Sequence, residues 1–136
     1  MVAIDLSTLN ATTLGSLDGG TSTGNFNGPT DLTLTPDGGL LVLDTGNNRV
    51  VRITAPPAGG LPSATGWTTF APQLIQGYFN RPTGIAFGSD GHMYVTDTKN
   101  HRLVRFDDMH GAGFAAFGID GSGTGQFVHP SAIFVK

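Results

Sequence analysis

The chain has 136 residues and a mass of 14.1 kDa, the size of one ordinary domain. Glycine (21 residues) and proline (8 residues) are enriched, only 12% of residues are charged, and the formal net charge is −3. This composition excludes a coiled coil, a charged disordered tail and a basic nucleic-acid binder. No apolar run approaches the length of about 20 residues that spans a bilayer, so we expect neither a nucleic-acid nor a membrane partner.

Two windows of the chain are copies of one another. Residues 26–53 read FNGPTDLTLTPDGGLLVLDTGNNRVVRI, residues 79–106 read FNRPTGIAFGSDGHMYVTDTKNHRLVRF, and 13 of the 28 aligned positions are identical. A third copy opens at Phe127 with FVHPSAIFV, and residues 2–5 resemble residues 104–107. We therefore predict a single repeat segment over 1–136, with full units at 26–78 and 79–126 and partial units at 1–25 and 127–136.

Each unit is predicted to contain four short strands. Apolar alternation marks the first strand at 32–34 and 85–87, and an Asp-Gly turn follows it. Apolar strands are expected at 40–43 and 93–96, then, after a polar hairpin tip, at 50–53 and 103–106, and finally at 67–70 and 113–117. Two strands near the N-terminus and one at 133–135 bring the count to about eleven. Four short strands in about 45 residues, repeated, predict an all-β fold of four-stranded antiparallel propeller blades.

The hairpin tip carries the same polar residues in both units. The carboxylate and guanidinium that flank it lie five residues apart, close enough across an antiparallel pair for a charge-assisted contact. Asparagine at the fourth position of the tip suits a left-handed turn. We interpret the set as a structural hairpin clasp, and the alternative is a ligand site repeated around a ring. The clasp residues are Asp44, Asn47, Arg49, Asp97, Asn100 and Arg102.

Each full unit carries the motif G-x-F-x-x-P, then an Asp-Gly turn, and then V-x-D-T-x-N-x-R. In the second unit the last motif reads Asp97-Thr98 followed by Asn100-His101-Arg102. Together these motifs resemble the NHL repeat. The resemblance covers nearly the whole chain and usually implies a six-bladed β-propeller. NHL propellers serve as protein- or RNA-interaction platforms, as extracellular or periplasmic bacterial modules, and occasionally as enzymes such as the amidating lyase of peptide hormones. The resemblance and the composition leave both a cytoplasmic and an extracellular or periplasmic location open.

Three sets of residues are candidates for ligand binding or catalysis. The resemblance implies that a zinc lyase would place histidines just after the blade prolines, but Thr30, Thr83 and Ser131 stand there. These three are the best candidates for ligand contacts lining the channel. The four histidines between positions 92 and 129 match no compact zinc spacing, and the glycine-rich residues 120–125 lack the lysine and helix of a phosphate loop. We expect no metal or cofactor and no catalytic residue.

Length limits what the chain can do alone. Propellers close with roughly four to eight blades, and the two full and two partial units here amount to fewer than three. A blade buries its faces only against neighbours, so we expect association with itself. The sequence therefore predicts a non-catalytic interaction or scaffold module, with a homodimer closing a ring of about six blades. The alternatives for assembly are an open filament and binding to other proteins. The alternative for function is a subunit or fragment of a metal-dependent lyase or lactonase.

Overall fold

The computed structural model describes residues 2–5, 10–13, 24–54, 66–72 and 77–136, the first two segments by their backbone pairing. Most of the predicted partial unit 1–25, and the proline- and glycine-rich stretch that lengthens the first full unit, lie outside these residues. The described residues contain no helix with the length and apolar character that crossing a bilayer requires.

Strands form in the predicted order. β1 (Val2–Asp5) and β2 (Asn10–Thr13) pair antiparallel. Blade 1 follows as an antiparallel sheet of β3 (Asp31–Leu34), β4 (Leu40–Asp44), β5 (Arg49–Ile53) and β6 (Trp67–Phe70). Blade 2 repeats it with β7 (Gly84–Phe87), β8 (Met93–Asp97), β9 (Arg102–Phe106) and β10 (Ala115–Phe117). The all-β fold of four-stranded antiparallel blades is confirmed.

The turns between strands follow from local chemistry, with one difference from the prediction. Gly38 and Gly91 take positive φ values of 80° and 84° in the turns before β4 and β8, a region that favours glycine. Each hairpin tip is a single 3-10 turn, over Thr45–Asn47 or Thr98–Asn100. The left-handed residue is the one after that turn, Asn48 or His101, rather than the asparagine at its end. The expected role of Asn47 and Asn100 as left-handed residues is wrong.

The main core lies between the two blades. One face of blade 1, with Leu41 and Leu43, packs against the face of blade 2 that carries Val95 and Phe106, and all four side chains are fully buried. The rings of Phe70 and Phe106 lie 4.5 Å apart across this interface. The opposite face of blade 1 forms a smaller cluster of Phe26, Val42, Val51 and Ile53. Blade-to-blade burial is therefore the main source of apolar contact.

The chain leaves blade 2 through a connection that differs in two ways from the prediction. β11 (Ile119–Asp120) and β12 (Gln126–Phe127), which the sequence did not predict, form a short parallel pair. The prediction of a strand at 133–135 within the chain is wrong, because residues 131–136 pair with no strand among the described residues. They nevertheless lie beside blade 2, where the Ser89 hydroxyl donates to the carbonyl of Lys136 at 2.9 Å.

Candidate functional site: hairpin tips and blade joints

The first predicted clasp residues meet around a buried carboxylate. Asp44, with no exposed surface, accepts hydrogen bonds from Nε of Arg49 at 2.7 Å and from Nδ2 of Asn47 at 2.8 Å. Its other oxygen accepts from the backbone N–H of Asn27 at 2.7 Å. Arg49 also donates to the carbonyl of Asn25 at 2.8 Å. The set therefore connects the hairpin tip to the chain segment that enters the same blade.

Blade 2 repeats this geometry nearly atom for atom. The fully buried Asp97 accepts from Nε of Arg102 and from Nδ2 of Asn100, both at 2.8 Å, and from the N–H of Asn80 at 2.7 Å. Arg102 donates onward to the carbonyl of Gly77 at 2.6 Å. Both carboxylates already receive three donors from within their own blade. Such a group is well placed to hold a loop and poorly placed to take up a ligand, which favours a clasp over a repeated binding site.

The predicted channel-end residues lie at the contacts between successive units. We call the contact of blade 1 with residues 81–83 the first joint and that of blade 2 with residues 129–131 the second joint. In the first joint Thr45 donates to the carbonyl of Pro82 at 2.7 Å, and Thr30 contacts both the Thr45 hydroxyl at 2.5 Å and the carbonyl of Thr83 at 3.2 Å. Thr30 is thus engaged by the protein itself.

The second joint has the same pattern. Thr98 donates to the carbonyl of Pro130 at 2.8 Å, and Thr83 contacts the Thr98 hydroxyl at 2.6 Å and the carbonyl of Ser131 at 3.0 Å. Ser131, the third predicted channel-end residue, contributes its carbonyl here and is exposed. Thr45 and Thr98 were not predicted as contact residues, although the Asp-Thr dipeptide that recurs in both hairpin tips is a signal for such a role.

Each joint contains a second contact made by the left-handed residue of the hairpin tip. Oδ1 of Asn48 accepts from the backbone N–H of Arg81 at 2.7 Å in the first joint. Nδ1 of His101 occupies the equivalent place in the second joint, 3.4 Å from the backbone N of His129. Arg81 and His129 are themselves left-handed, with φ of 48° and 51°. Two left-handed residues therefore face each other at every joint.

The four histidines are distributed over separate contacts. Nδ1 of His92 lies 2.7 Å from Oδ1 of Asp107, and Nδ1 of His110 lies 3.8 Å from Oδ2 of Asp108. His101 and His129 pack ring against ring with centroids 4.7 Å apart. No group of three or more histidine, aspartate or glutamate side chains able to hold a metal ion occurs among the described residues.

A groove of about 460 Å³ lies between the two blades, on the side of the Asp-Gly turns. Its lining includes Asp37 and Asp108, both with lowered pKa values. The Thr35 hydroxyl, and then Arg52, lower the pKa of Asp37, whereas the backbone amides of Ala112 and His110 lower that of Asp108. Both carboxylates are exposed and satisfied by neighbouring groups, and none of the sequence-predicted site residues lines this groove.

Four-stranded blades stacked face to face, each with a buried clasp, define the chain as a segment of a β-propeller. Two stretches, 26–53 and 79–106, match the family described as NHL repeat. The chain therefore carries two NHL repeats, and the resemblance noted from its motifs is confirmed. No curated protein sequence matches it significantly.

Two of the solved structures that are similar to the chain are lyases. The virginiamycin B lyase of Staphylococcus aureus superimposes with a TM-score of 0.59 and 20% identity, over 96% of this chain and 36% of that one. A streptogramin B lyase superimposes with a TM-score of 0.51 and 17% identity, over 79% of this chain and 29% of that one. At these identities the likeness establishes the fold alone. The chain spans about a third of the length of these structures.

Proposed function

We propose that the chain is a non-catalytic interaction or scaffold module whose blades complete a ring with a second copy of the same chain. The observation that carries the proposal is a difference between equivalent positions of the two blades. Ile85, in the inner strand of blade 2, is 3% exposed because blade 1 covers it, whereas its counterpart Leu32 in blade 1 is 48% exposed. Leu34 beside it is 65% exposed. A neighbouring blade would bury both leucines.

The opposite end of the stack supports the same proposal. Residues 131–136 lie beside blade 2 without a strand partner among the described residues, and Phe134 is 81% exposed. A segment without a strand partner can offer backbone hydrogen-bonding groups to another strand. In the proposed dimer residues 133–135 of one chain join β1 of the other in a shared blade. Two such contacts around a two-fold axis give about six blades, whereas the same contact without closure gives a filament.

The solution mass of the full chain tests this proposal. We expect a discrete species of twice 14.1 kDa at micromolar concentration in sedimentation velocity experiments. Leu34→Asp should shift the population to monomer, because a charge buried in an apolar contact is strongly unfavourable. Tyr78→Asp is the matched control, since Tyr78 is also exposed (55%) but lies beside the clasp of blade 2, where its carbonyl accepts from Asn100. A wild-type chain that stays monomeric throughout this range contradicts the proposed ring.

The alternative is that the chain forms part of a propeller enzyme with a site in the central channel. Its support is the fold similarity to two lyases, and such a site would be built around the channel-end positions Thr30, Thr83 and Ser131. Those residues supply hydroxyls and backbone carbonyls instead of imidazoles. Metal analysis of the purified chain separates the two proposals: tightly held zinc or calcium in stoichiometric amount would favour the enzyme.

A further inference from the structure

The second joint contains a conflict that the first joint lacks. Nδ1 of His101 lies 3.4 Å from the backbone N of His129, which can only donate a hydrogen bond. The same Nδ1 lies 3.2 Å from Oδ1 of Asp120, which as a carboxylate can only accept one. A single ring nitrogen is either an acceptor or a donor, depending on whether it carries a proton. An Nδ1 without a proton can accept from the His129 N–H, whereas an Nδ1 with a proton can instead interact with the Asp120 carboxylate.

We propose that His101 is a pH-sensitive latch on the terminal segment 127–136. When the imidazole is neutral with its proton on Nε2, Nδ1 accepts from the His129 N–H and holds this segment against the hairpin tip. When the imidazole is protonated, Nδ1–H donates to Asp120, and the His129 N–H loses its acceptor. Histidine is the side chain whose charge ordinarily changes between about pH 5 and 8, so a comparison across that range tests the latch.

In acid, the charged groups around His101 disfavour its contact with His129. The His129 ring packs against His101 with centroids 4.7 Å apart, and Nζ of Lys99 lies 3.5 Å from Nε2 of His129. Lysine has no acceptor, so this contact requires an unprotonated Nε2 on His129. Protonation of His101 adds a positive charge beside that ring and near Lys99, with Asp120 as the neighbouring anion. Acid therefore weakens two contacts of His129: that of its backbone N–H with His101 and that of its ring with Lys99.

The first joint is a built-in control. There the acceptor is the Asn48 side-chain oxygen, 2.7 Å from the N–H of Arg81. An amide does not titrate in this range, so the first joint should hold the same strength from pH 5 to 8. Any pH dependence confined to the second joint must come from the groups that distinguish it.

Amide hydrogen exchange in the full isotope-labelled chain tests the latch. We expect the protection of the His129 amide, divided by that of the Arg81 amide, to fall about fivefold from pH 8 to pH 5, the value of one neutral hydrogen bond. His101→Asn, which copies the first joint, should make this ratio independent of pH. His129→Arg, which copies Arg81, should retain the dependence. A flat ratio in the wild type, or an unchanged dependence in His101→Asn, would overturn the proposal.

The imidazole nitrogen signals of the wild type provide a readout that does not depend on any variant folding. Nδ1 of His101 should be unprotonated at pH 8, and a protonated Nδ1 at that pH would also overturn the latch. Acid should further weaken the proposed dimer, because residues 127–136 form one of its flanks, and this consequence alone rests on the proposed function. Exchange reports on the joint within one chain and mass reports on association, so the two failures are distinguishable.

Discussion

At the scale of single residues, the same position can carry either a structural or a switching role. Asp44 and Asp97 are fully buried and each receives three hydrogen-bond donors from its own blade. Asn48 and His101, one residue beyond the 3-10 turns, make equivalent contacts, yet only the histidine can lose its acceptor by taking up a proton. The clasp residues are predicted to stabilise the blades.

The clasp prediction is tested by Asp97→Asn, which keeps the shape of the side chain and removes its charge. We expect the free energy of unfolding to fall by about 3 kcal/mol, because Arg102 and Asn100 lose a shared buried acceptor. The matched control is Asp37→Asn, which removes the exposed ion pair with Arg52 and should cost less than about 1 kcal/mol. Urea denaturation measures both. Equal losses would contradict a stabilising role for the buried contacts of Asp97.

At the scale of elements, the joints couple one blade to the next through side-chain hydroxyls. Thr45 is 3% exposed and donates to a carbonyl 37 residues away in the chain. Thr98 makes the equivalent bond across 32 residues and is partly exposed. An unsatisfied carbonyl is costly only where water cannot reach it, so the two joints should differ in strength.

Thr45→Val should therefore be more destabilising than Thr98→Val, although both remove the same hydroxyl at near-constant shape. We expect about 1–3 kcal/mol from Thr45→Val, the cost of a buried polar group left without a partner. Thr98→Val should cost less and should lower hydrogen-exchange protection mainly in residues 127–136. Thermal and urea unfolding, combined with exchange, measure both effects. The reverse order would show that the first joint is not the stronger one.

At the scale of the whole molecule, the described residues contain two complete four-stranded blades, fewer than the roughly four that the smallest propellers need to close. The two open flanks are chemically different: Leu32 and Leu34 mark one, and Phe134 marks the other. A contact between unlike flanks is heterologous. Such contacts form a closed ring only if the rotation from one chain to the next is a whole fraction of a full turn, and otherwise they form a filament.

This asymmetry predicts a complementation result. Leu34→Asp and Phe134→Asp should each be monomeric alone, because each spoils both contacts of the proposed ring. Mixed in equal amounts, they should form a heterodimer held by one intact contact between the wild-type flanks. Native mass spectrometry of the mixture, with one variant isotope-labelled, measures it. A mixture that stays monomeric while the wild type dimerises would point to association of like flanks instead.

Much of the fold could be predicted because its signals are local. Alternating apolar residues, Asp-Gly turns and near-identical windows specify the strands of blades 1 and 2, since side-chain periodicity and turn conformation depend on neighbours in the chain. The Asp–Arg pairs were predictable for the same reason: five residues and one hairpin separate the partners. Repetition strengthened each inference, because the same pattern occurs twice.

The remaining features depend on contacts between residues far apart in sequence, which only the tertiary structure decided. The absence of a ladder partner for residues 131–136 and the Thr45–Pro82 bond both depend on the relative placement of two units. The same holds for His101, whose neighbours Asp120 and His129 are brought to it by the path of the chain after blade 2. The sequence by itself thus determined the blades, and the packing between units determined the joints, because strands form from local preferences and joints form from long-range burial.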